Sequence, residues 1–293
     1  MSEGKLNIEP EISPDVFRNF QRLCEERKAE SVRKQPVLEA RNVVKRYDDQ
    51  TAIPDLNFVI DDIEGKSEII TILGPSGCGK STILNMVAGL LPPTSGEFLT
   101  FGKPIEGPGV DRGMIFQRYS SFPFLTVLDN IAYPLVHVLK KPWKEAREVA
   151  KHWVDKMYLT GAEKKFPAQL SGGMQQRLAI ARTLSARAPI ILMDEPFGAL
   201  DRKIRWEMQD LIAEIAFFQP EHEFTIMLVT HDIPEALYLG DRVWIIHQGR
   251  IIRTEFCERP SEPARQAQSR PHFLELVSFF NAQIDQLVIA QEG

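Results

Sequence analysis

Short apolar runs alternate with segments of helical periodicity from Val37 onward, which predicts a sheet covered by helices. Three of these runs are mainly apolar over five or more positions, as is typical of strands buried on both faces. The chain is therefore predicted to fold as an α/β domain with a buried sheet core. The three runs are EIITILG at 68–74, PIILMD at 189–194 and FTIMLVT at 224–230.

Other segments carry different periodicities. After Asp201, apolar residues recur every three or four positions as far as Ile215, which predicts an amphipathic helix. The run RVWIIHQGRII places Gln248 and Gly249 between two β-rich segments, which predicts a hairpin. Between 120 and 169 strand patterns fade and helical ones dominate, so we expect a helical subdomain at about 118–169.

Composition narrows the class of protein. Hydrophobic residues make up 43% of the 293 residues and charged residues 26%, which is typical of a globular domain. A net charge of -5 argues against a nucleic-acid partner. Cys24, Cys78 and Cys257 are too widely spaced to indicate a disulfide framework or a zinc site. The N-terminus lacks the apolar core of a signal peptide and no apolar run spans a membrane, so any action at a membrane requires another subunit.

The segment GPSGCGKST matches the phosphate-loop pattern, with a predicted strand before it and a helix after it. Backbone N–H groups at the start of that helix can wrap phosphate oxygens. Lys80 would reach the β- and γ-phosphates, Ser81 would bind Mg²⁺ and Thr82 would lie near the α-phosphate. The alternative is a glycine turn with a solvated lysine. Cys78 is interpreted as a spacer whose place at a helix N-terminus could lower its pKa. The predicted nucleotide-binding residues of this loop are Gly74, Pro75, Ser76, Gly77, Cys78, Gly79, Lys80, Ser81 and Thr82.

Two carboxylates follow a buried strand in IILMDEP. Asp194 is predicted to hold Mg²⁺, and Glu195 to orient or deprotonate the attacking water. The alternative is a pair of carboxylates that cap the next turn. A second glycine pair, Gly172 and Gly173, opens a helical run in LSGGMQQR and predicts a second anion site.

Read in order, GPSGCGKST, LSGGMQQR and ILMDEPFGALD make the chain resemble the nucleotide-binding subunit of ABC transporters over approximately residues 37–257. The resemblance implies a phosphate-loop ABC domain with a mixed sheet core, an antiparallel β part and a helical subdomain, and ATP and Mg²⁺ as cofactors. It also implies that the signature residues Ser171, Gly172, Gly173 and Gln175 contact ATP held by an opposite subunit. Two cassettes would then meet head to tail around two ATP molecules.

The same resemblance assigns four further residues. Tyr47 resembles the aromatic residue that stacks on adenine, and Gln117 the glutamine that senses Mg²⁺ and the attacking water. His231 resembles the histidine that contacts the γ-phosphate, and Asp201 the aspartate that crosses the dimer interface. The alternatives are a half-buried strand tyrosine, a surface glutamine and a structural histidine.

Within ABC transporters, the sequences around the motifs look most like the importer branch for nitrate, sulfonate, taurine and bicarbonate. This resemblance implies a second cassette, transmembrane permease subunits and an extracytoplasmic solute-binding protein as partners. The chain would lie on the cytoplasmic face of the inner membrane. Two other functions remain open: a soluble ABC ATPase of translation or DNA repair, and a module that binds ATP without hydrolysing it.

The predicted organisation has three parts. Residues 1–35 form an extension with a short amphipathic helix, which Ser13 could cap and which would pack on its own domain or on a partner. Residues 36–257 form the cassette. Residues 258–293 form a helical tail, too short for the regulatory domain of some sugar importers.

Overall fold

A computed structural model gives the fold of most of the chain. The predicted helix that begins near Ser13 lies largely outside the described residues, although the six described residues between Arg18 and Glu26 are helical. No helix in the described ranges is long and apolar enough to span a bilayer. The structure describes residues 18–19, 22–23, 25–26, 35–117, 120–217 and 223–292.

A six-stranded sheet forms the centre of the molecule. Its order is β10-β9-β3-β8-β7-β6, and neighbouring strands are parallel except for the antiparallel pair β9 and β10. Gln248 and Gly249 connect that pair, so the predicted hairpin is confirmed. The strands are β3 (Glu68–Leu73), β6 (Arg112–Ile115), β7 (Ile190–Asp194), β8 (Thr225–Val229), β9 (Arg242–His247) and β10 (Arg250–Phe256).

Both faces of this sheet are buried, which explains the continuous apolar runs. Along β3, Ile69 and Leu73 pack into one hydrophobic cluster, whereas Ile70 and Ile72 pack into the other. Successive side chains of a strand point to opposite faces, so a strand covered on both sides is apolar at most positions. The same holds for β7 and β8, and the three buried strands predicted from the sequence are confirmed.

A second, antiparallel sheet covers one face of the core. Its order is β2-β1-β4-β5, and the β1–β2 hairpin closes where Tyr47 pairs with Gln50. Phe58 on β2 packs against Trp244 of β9, with 4.8 Å between ring centroids, so the two sheets share a hydrophobic cluster. The strands are β1 (Leu38–Tyr47), β2 (Gln50–Ile60), β4 (Ser95–Thr100) and β5 (Lys103–Pro104).

The helix Lys80–Val87 packs on the same face as the antiparallel sheet, whereas the other helices cover the opposite face and form a separate helical part. In that part the buried Asn130 accepts a hydrogen bond from the Phe122 amide and donates to the carbonyls of Phe122, Leu125 and Thr126, which fixes the segment before its own helix. The helices are α1 (Lys80–Val87), α2 (Val127–His137), α3 (Trp143–Lys156), α4 (Gly172–Ser185), α5 (Arg202–Phe217), α6 (Ile233–Leu239), α7 (Ala264–Ala267) and α8 (Pro271–Glu292).

Candidate active site

The phosphate loop turns from β3 into α1 at the carboxyl edge of the core sheet. Lys80 is buried, and its Nζ donates hydrogen bonds to the carbonyls of Gly74 and Pro75, both at 2.8 Å. The ammonium group is thereby folded back over the loop. A cation held beside backbone N–H groups at a helix start is an arrangement that suits a phosphate group.

Close packing against the β sheets holds this loop in place. A Cβ atom on Gly74 would lie 2.2 Å from the Ile246 carbonyl oxygen, and one on Gly79 would lie 2.7 Å from Ile53 Cδ1. The Gly249 amide donates to the Cys78 carbonyl at 2.9 Å, so the β9–β10 turn also fastens the loop. Glycine is required at these positions because any side chain would displace a neighbouring strand or its side chains.

Ser81 and Asp194 face each other across the start of α1 and the end of β7. Ser81 Oγ donates to Asp194 Oδ1 at 3.1 Å. Burial raises the pKa of Asp194, and the hydrogen bond from Ser81 opposes that shift. A hydroxyl and a carboxylate oxygen beside a phosphate loop are donors of the kind that Mg²⁺ prefers, so these two residues fit that ion.

Glu195 brings two other predicted residues together. Gln117, which follows β6, donates from Nε2 to Glu195 Oε2 at 2.9 Å. His231, which follows β8, has its Nδ1 3.4 Å from Glu195 Oε1. Two side chains, from the ends of β6 and β8, therefore meet at the Glu195 carboxylate, which follows β7 between them. Such a meeting is expected at the carboxyl edge of a parallel sheet.

The backbone of Glu195 is in an uncommon conformation. Its φ of 47° lies in the left-handed region, which costs a residue with a Cβ on the order of 1 kcal/mol. Its amide donates to the Val229 carbonyl at 2.9 Å, which ties this turn to β8. The turn directs the Glu195 side chain towards the loops after β6 and β8.

Tyr47 lies at the end of β1 and is 44% exposed. Lys45 Nζ lies 5.2 Å from the centroid of its ring. The same sheet reaches the phosphate loop through Ile53, three residues beyond the strand partner of Tyr47. An exposed ring on this sheet has an open face on which a planar group can stack.

Ser171 and Gln175 of the signature make local hydrogen bonds. Ser171 caps α4 by accepting a hydrogen bond from the Met174 amide at 3.4 Å, and Gln175 donates to the Leu170 carbonyl at 3.2 Å. Asp201 caps α5 by accepting hydrogen bonds from the amides of Lys203 and Ile204, both at 3.1 Å. None of these contacts joins the signature to the phosphate loop of the same chain.

The structure decides a point that the sequence left open. The place of Cys78 at a helix N-terminus could have lowered its pKa, but burial raises the pKa. The nearby Lys80 opposes this effect without overcoming it. The buried thiol therefore acts as a small apolar spacer, which agrees with the other part of the interpretation.

Sequence reasoning missed three polar residues that surround His231. Asp232 caps α6 by accepting from the Glu235 amide at 3.0 Å, and it pairs with Arg205 at 3.1 Å. Glu235 is buried, and burial raises its pKa to about 7. Asp232 and Glu235 could have been noticed in the sequence because they follow His231 closely. No sequence pattern points to Arg205, which lies on a helix more than twenty residues earlier in the chain.

Comparison with known proteins gives concordant matches. A profile of the family described as ABC transporter matches residues 63–198. The chain is 41% identical over 246 residues to the taurine import ATP-binding protein of Chromobacterium violaceum, covering 82% of this chain and 92% of that protein. It is 44% identical over 222 residues to the nitrate import ATP-binding protein of Synechococcus elongatus, covering 74% and 78% respectively.

A solved structure is similar as well. It is a dimer of an ATP-binding cassette in a post-hydrolysis state, bound to ADP and Pi, and it is 32% identical with a TM-score of 0.65. The match covers 75% of this chain and 99% of that one. The fold class predicted from the sequence is confirmed by this likeness together with the observed mixed sheet, antiparallel sheet and helices.

Proposed function

This chain belongs to the ABC transporter ATP-binding family, and we propose that it powers import of a small anion of the taurine, sulfonate, nitrate or bicarbonate type. The family predicted from the motifs is thereby confirmed, and the chain is an ATP-binding ATPase of the import type. The observation that carries the solute class is the similarity to taurine and nitrate import subunits over 82% and 74% of this chain.

Hydrolysis is assigned to Glu195 with Gln117 and His231. Glu195 would accept a proton from the attacking water, because its carboxylate lies between the other two side chains. Gln117 and His231 would orient that water by hydrogen bonds. This assignment is supported by the distances of 2.9 and 3.4 Å that join the two side chains to the carboxylate.

Phosphate and metal binding are assigned to the loop between β3 and α1. Its backbone N–H groups and Lys80 would hold the phosphates of ATP. Ser81, Asp194 and Gln117 would hold Mg²⁺, which neutralises phosphate charge when it is bound. Tyr47 would stack on the adenine ring. The hydrogen bond between Ser81 and Asp194 supports the shared metal assignment.

The signature is assigned to a neighbouring copy's nucleotide. The hydrogen bonds of Ser171 and Gln175 are local, whereas a helix that begins with two glycines offers free N–H groups to an anion. The solved relative is a dimer. ATP would thus join two cassettes, with Ser171 and Asp201 on the contact surface.

A permease subunit is the proposed occupant of an aromatic groove on the helical part. Phe122 stacks on Tyr133 at 4.7 Å between centroids, and Tyr133 lies 4.0 Å from His137. These rings line a groove of about 290 Å³, and the neighbouring Phe124 is 70% exposed. Exposed apolar rings beside a groove are typical of protein contact sites. The segment follows Gln117, so a partner in the groove would lie close to the hydrolytic residues.

The test is to purify the full chain from its native membrane in mild detergent and to identify the proteins that accompany it. We expect a membrane-spanning permease, and an ATPase rate that rises when the complex, supplied with its binding protein, receives one of taurine, an alkanesulfonate, nitrate or bicarbonate. Recovery with ribosomes or DNA instead would support the soluble ABC ATPase alternative.

A matched pair of variants tests the groove. Phe124→Ala is expected to reduce the recovery of permease several-fold, because an exposed ring at the contact is removed. Tyr158→Ala removes a ring that is 55% exposed elsewhere on the helical part and should leave recovery unchanged. Equal recovery with both variants would contradict the docking assignment.

A further inference from the structure

A buried carboxylate lies one helical turn beyond His231. Glu235, in the first turn of α6, is 3% exposed. A carboxylate removed from water in this way needs hydrogen-bond donors to stay ionised, and burial raises its pKa to about 7. Donors reach it from two directions, one from the loop that carries His231 and the other from α5.

On the first side, Glu235 holds both neighbours of His231. The Thr230 hydroxyl accepts a hydrogen bond from the Asp232 amide at 3.0 Å, which leaves its own proton for the Glu235 carboxylate. The Glu235 amide in turn donates to Asp232 Oδ1 at 3.0 Å. Residues 230–232 are therefore closed into a small hydrogen-bonded loop by one residue.

On the second side, a chain of amides leads from Glu235 to the tail. Gln209 on α5 donates from Nε2 to Glu235 Oε2 at 3.1 Å. Gln268, which follows α7, donates from Nε2 to Gln209 Oε1 at 3.1 Å. The Trp206 indole donates to Gln268 Oε1 at 2.9 Å.

The indole of Trp206 fixes the direction of this chain of hydrogen bonds. An indole N–H can only donate, so Gln268 must accept there and present its NH₂ group to Gln209. Gln209 must then present its own NH₂ group to Glu235, where Oε2 accepts the hydrogen bond. Each member has one compatible orientation, which favours a rigid network over a set of interchangeable contacts.

The tail segment 264–268 is also held against α5 at its first residue, Ala264. Asp210, next to Gln209, accepts a hydrogen bond from the Ala264 amide at 2.7 Å. Tyr238 of α6 donates to the same carboxylate oxygen at 2.6 Å. Residues 264–268 are therefore held against both α5 and α6, and α5 is the helix that Asp201 caps.

We propose that Glu235, Gln209 and Gln268 are positioning residues that hold the loop carrying His231 and connect residues 264–268 of the tail to ATP hydrolysis. The proposal rests on the role assigned to His231 above. The His231 side chain is 70% exposed and contacts Glu195 through Nδ1, so its position depends on the backbone on either side. That backbone is what Glu235 holds.

The experiment compares Gln209→Met and Gln268→Leu with Gln283→Met in the full-length protein. Each change removes a buried or partly buried amide of similar size. Gln283 lies on the same tail and accepts a hydrogen bond from Arg253 of β10, outside the network. We expect kcat for ATP hydrolysis to fall at least about threefold in the first two variants, with KM for ATP unchanged, because the phosphate loop is not altered.

Hydrogen exchange supplies a second readout, since it follows the loop directly. Exchange of the amides in 230–233 should rise at least about threefold in Gln209→Met and Gln268→Leu and stay unchanged in Gln283→Met. In the double variant of Gln209 and Gln268, kcat should fall little further than in the more affected single variant, because the two residues act in series.

Three results would overturn the proposal. They are unchanged exchange in Gln268→Leu, equal effects in Gln283→Met, and faster exchange without a fall in kcat while His231→Ala is impaired. His231→Ala is measured in parallel. A normal rate in that variant would remove the role of His231 itself, and the exchange data would still decide whether the three side chains hold the loop.

Discussion

At the scale of single residues, Glu195 combines the properties needed by a group that activates water. Its side chain is partly exposed, it contacts Gln117 and His231, and its backbone holds a left-handed conformation. Strain of this kind persists only where the surrounding structure enforces it, and here a hydrogen bond from the Glu195 amide to β8 does so.

Glu195→Gln should bind ATP and lose hydrolysis. An amide cannot accept the proton of the attacking water, so we expect the steady-state rate to fall about 10²- to 10⁴-fold. The variant should also accumulate as a cassette dimer in ATP, which size-exclusion chromatography would detect. Glu97→Gln, an exposed carboxylate on β4, serves as the control, and a normal rate in Glu195→Gln would contradict the assigned role.

Glu235 makes stability depend on pH. Burial in the folded chain disfavours the charged form, so the carboxyl group keeps its proton to about pH 7 there. In the unfolded chain it loses the proton near pH 4.5. The folded state therefore binds more protons between these values, and the free energy of unfolding falls as pH rises through that window. The fall ends above about pH 7.

Glu235→Gln should remove that dependence. Relative to the variant, the wild-type protein should lose about 2 kcal/mol of unfolding free energy between pH 5.5 and pH 8. Denaturant unfolding of both proteins at the two pH values measures this difference. Identical pH dependence in the two proteins would show that Glu235 titrates in the folded chain as it does in the unfolded one.

At the scale of elements, the β9–β10 turn acts as a support for the phosphate loop. Gly249 has a φ of 72°, and a Cβ atom there would lie 2.3 Å from the Ala52 carbonyl oxygen. Gly65 has nearly the same φ, 73°, with no atom within 4 Å of the corresponding Cβ position. A comparison of alanine substitutions at the two glycines therefore distinguishes the cost of backbone strain from the cost of steric crowding.

Gly249→Ala should destabilise the protein by about 3 kcal/mol, the sum of left-handed strain and overpacking, whereas Gly65→Ala should cost about 1 kcal/mol. Gly249→Ala should also raise KM for ATP, because its amide holds the Cys78 carbonyl of the phosphate loop. Guanidinium unfolding and ATPase kinetics check both expectations. Equal stability losses would mean that the turn moves aside without strain.

The elements also show which features the sequence can predict. The strands β3, β7 and β8 are predictable because burial on both faces favours apolar residues at most positions. The phosphate loop and the pair Asp194 and Glu195 are predictable because each motif is a contiguous run of residues, although their contacts reach residues distant in sequence. The contact between Gln117 and Glu195 was not derivable from spacing, since the sheet order that joins β6 to β7 is not written in either strand.

The hydrogen-bond network around Glu235 could not be predicted either, because its members come from segments that are distant in sequence. Gln209, Glu235 and Gln268 lie on three separate helical segments, and each alone has the composition of a solvated helix surface. Only tertiary packing removes them from water and makes them one another's partners. The direction of the pKa shift of Cys78 could not be read from the motif either. Burial raises that pKa, and the local sequence does not encode burial.

At the scale of the whole molecule, each nucleotide site is expected to need two copies of the chain. Ser171→Arg should spoil the site of the neighbouring copy while its own phosphate loop still binds ATP. Lys80→Ala should spoil its own site. The two changes therefore act on the same site when they lie on opposite chains.

Mixed dimers test this arrangement. A dimer that carries Ser171→Arg on one chain and Lys80→Ala on the other should keep one intact site, whereas a dimer with both changes on one chain should have both sites damaged. The single-turnover hydrolysis of bound ATP in each dimer, isolated through two different affinity tags, distinguishes the two arrangements. The reverse result would mean that each signature serves its own chain.

The strand order of the core sheet has a consequence for how the chain acquires its fold. The β1–β2 hairpin pairs residues close in sequence, but β3 pairs only with β8 and β9, so that Glu68 meets Thr225 and Ile70 meets Arg242. During synthesis the apolar strand of the phosphate loop must wait for most of the chain to leave the ribosome. Parallel pairing over such separations forms slowly and leaves apolar strands open to aggregation in the meantime. The nucleotide site is thus among the last parts of a nascent chain to assemble.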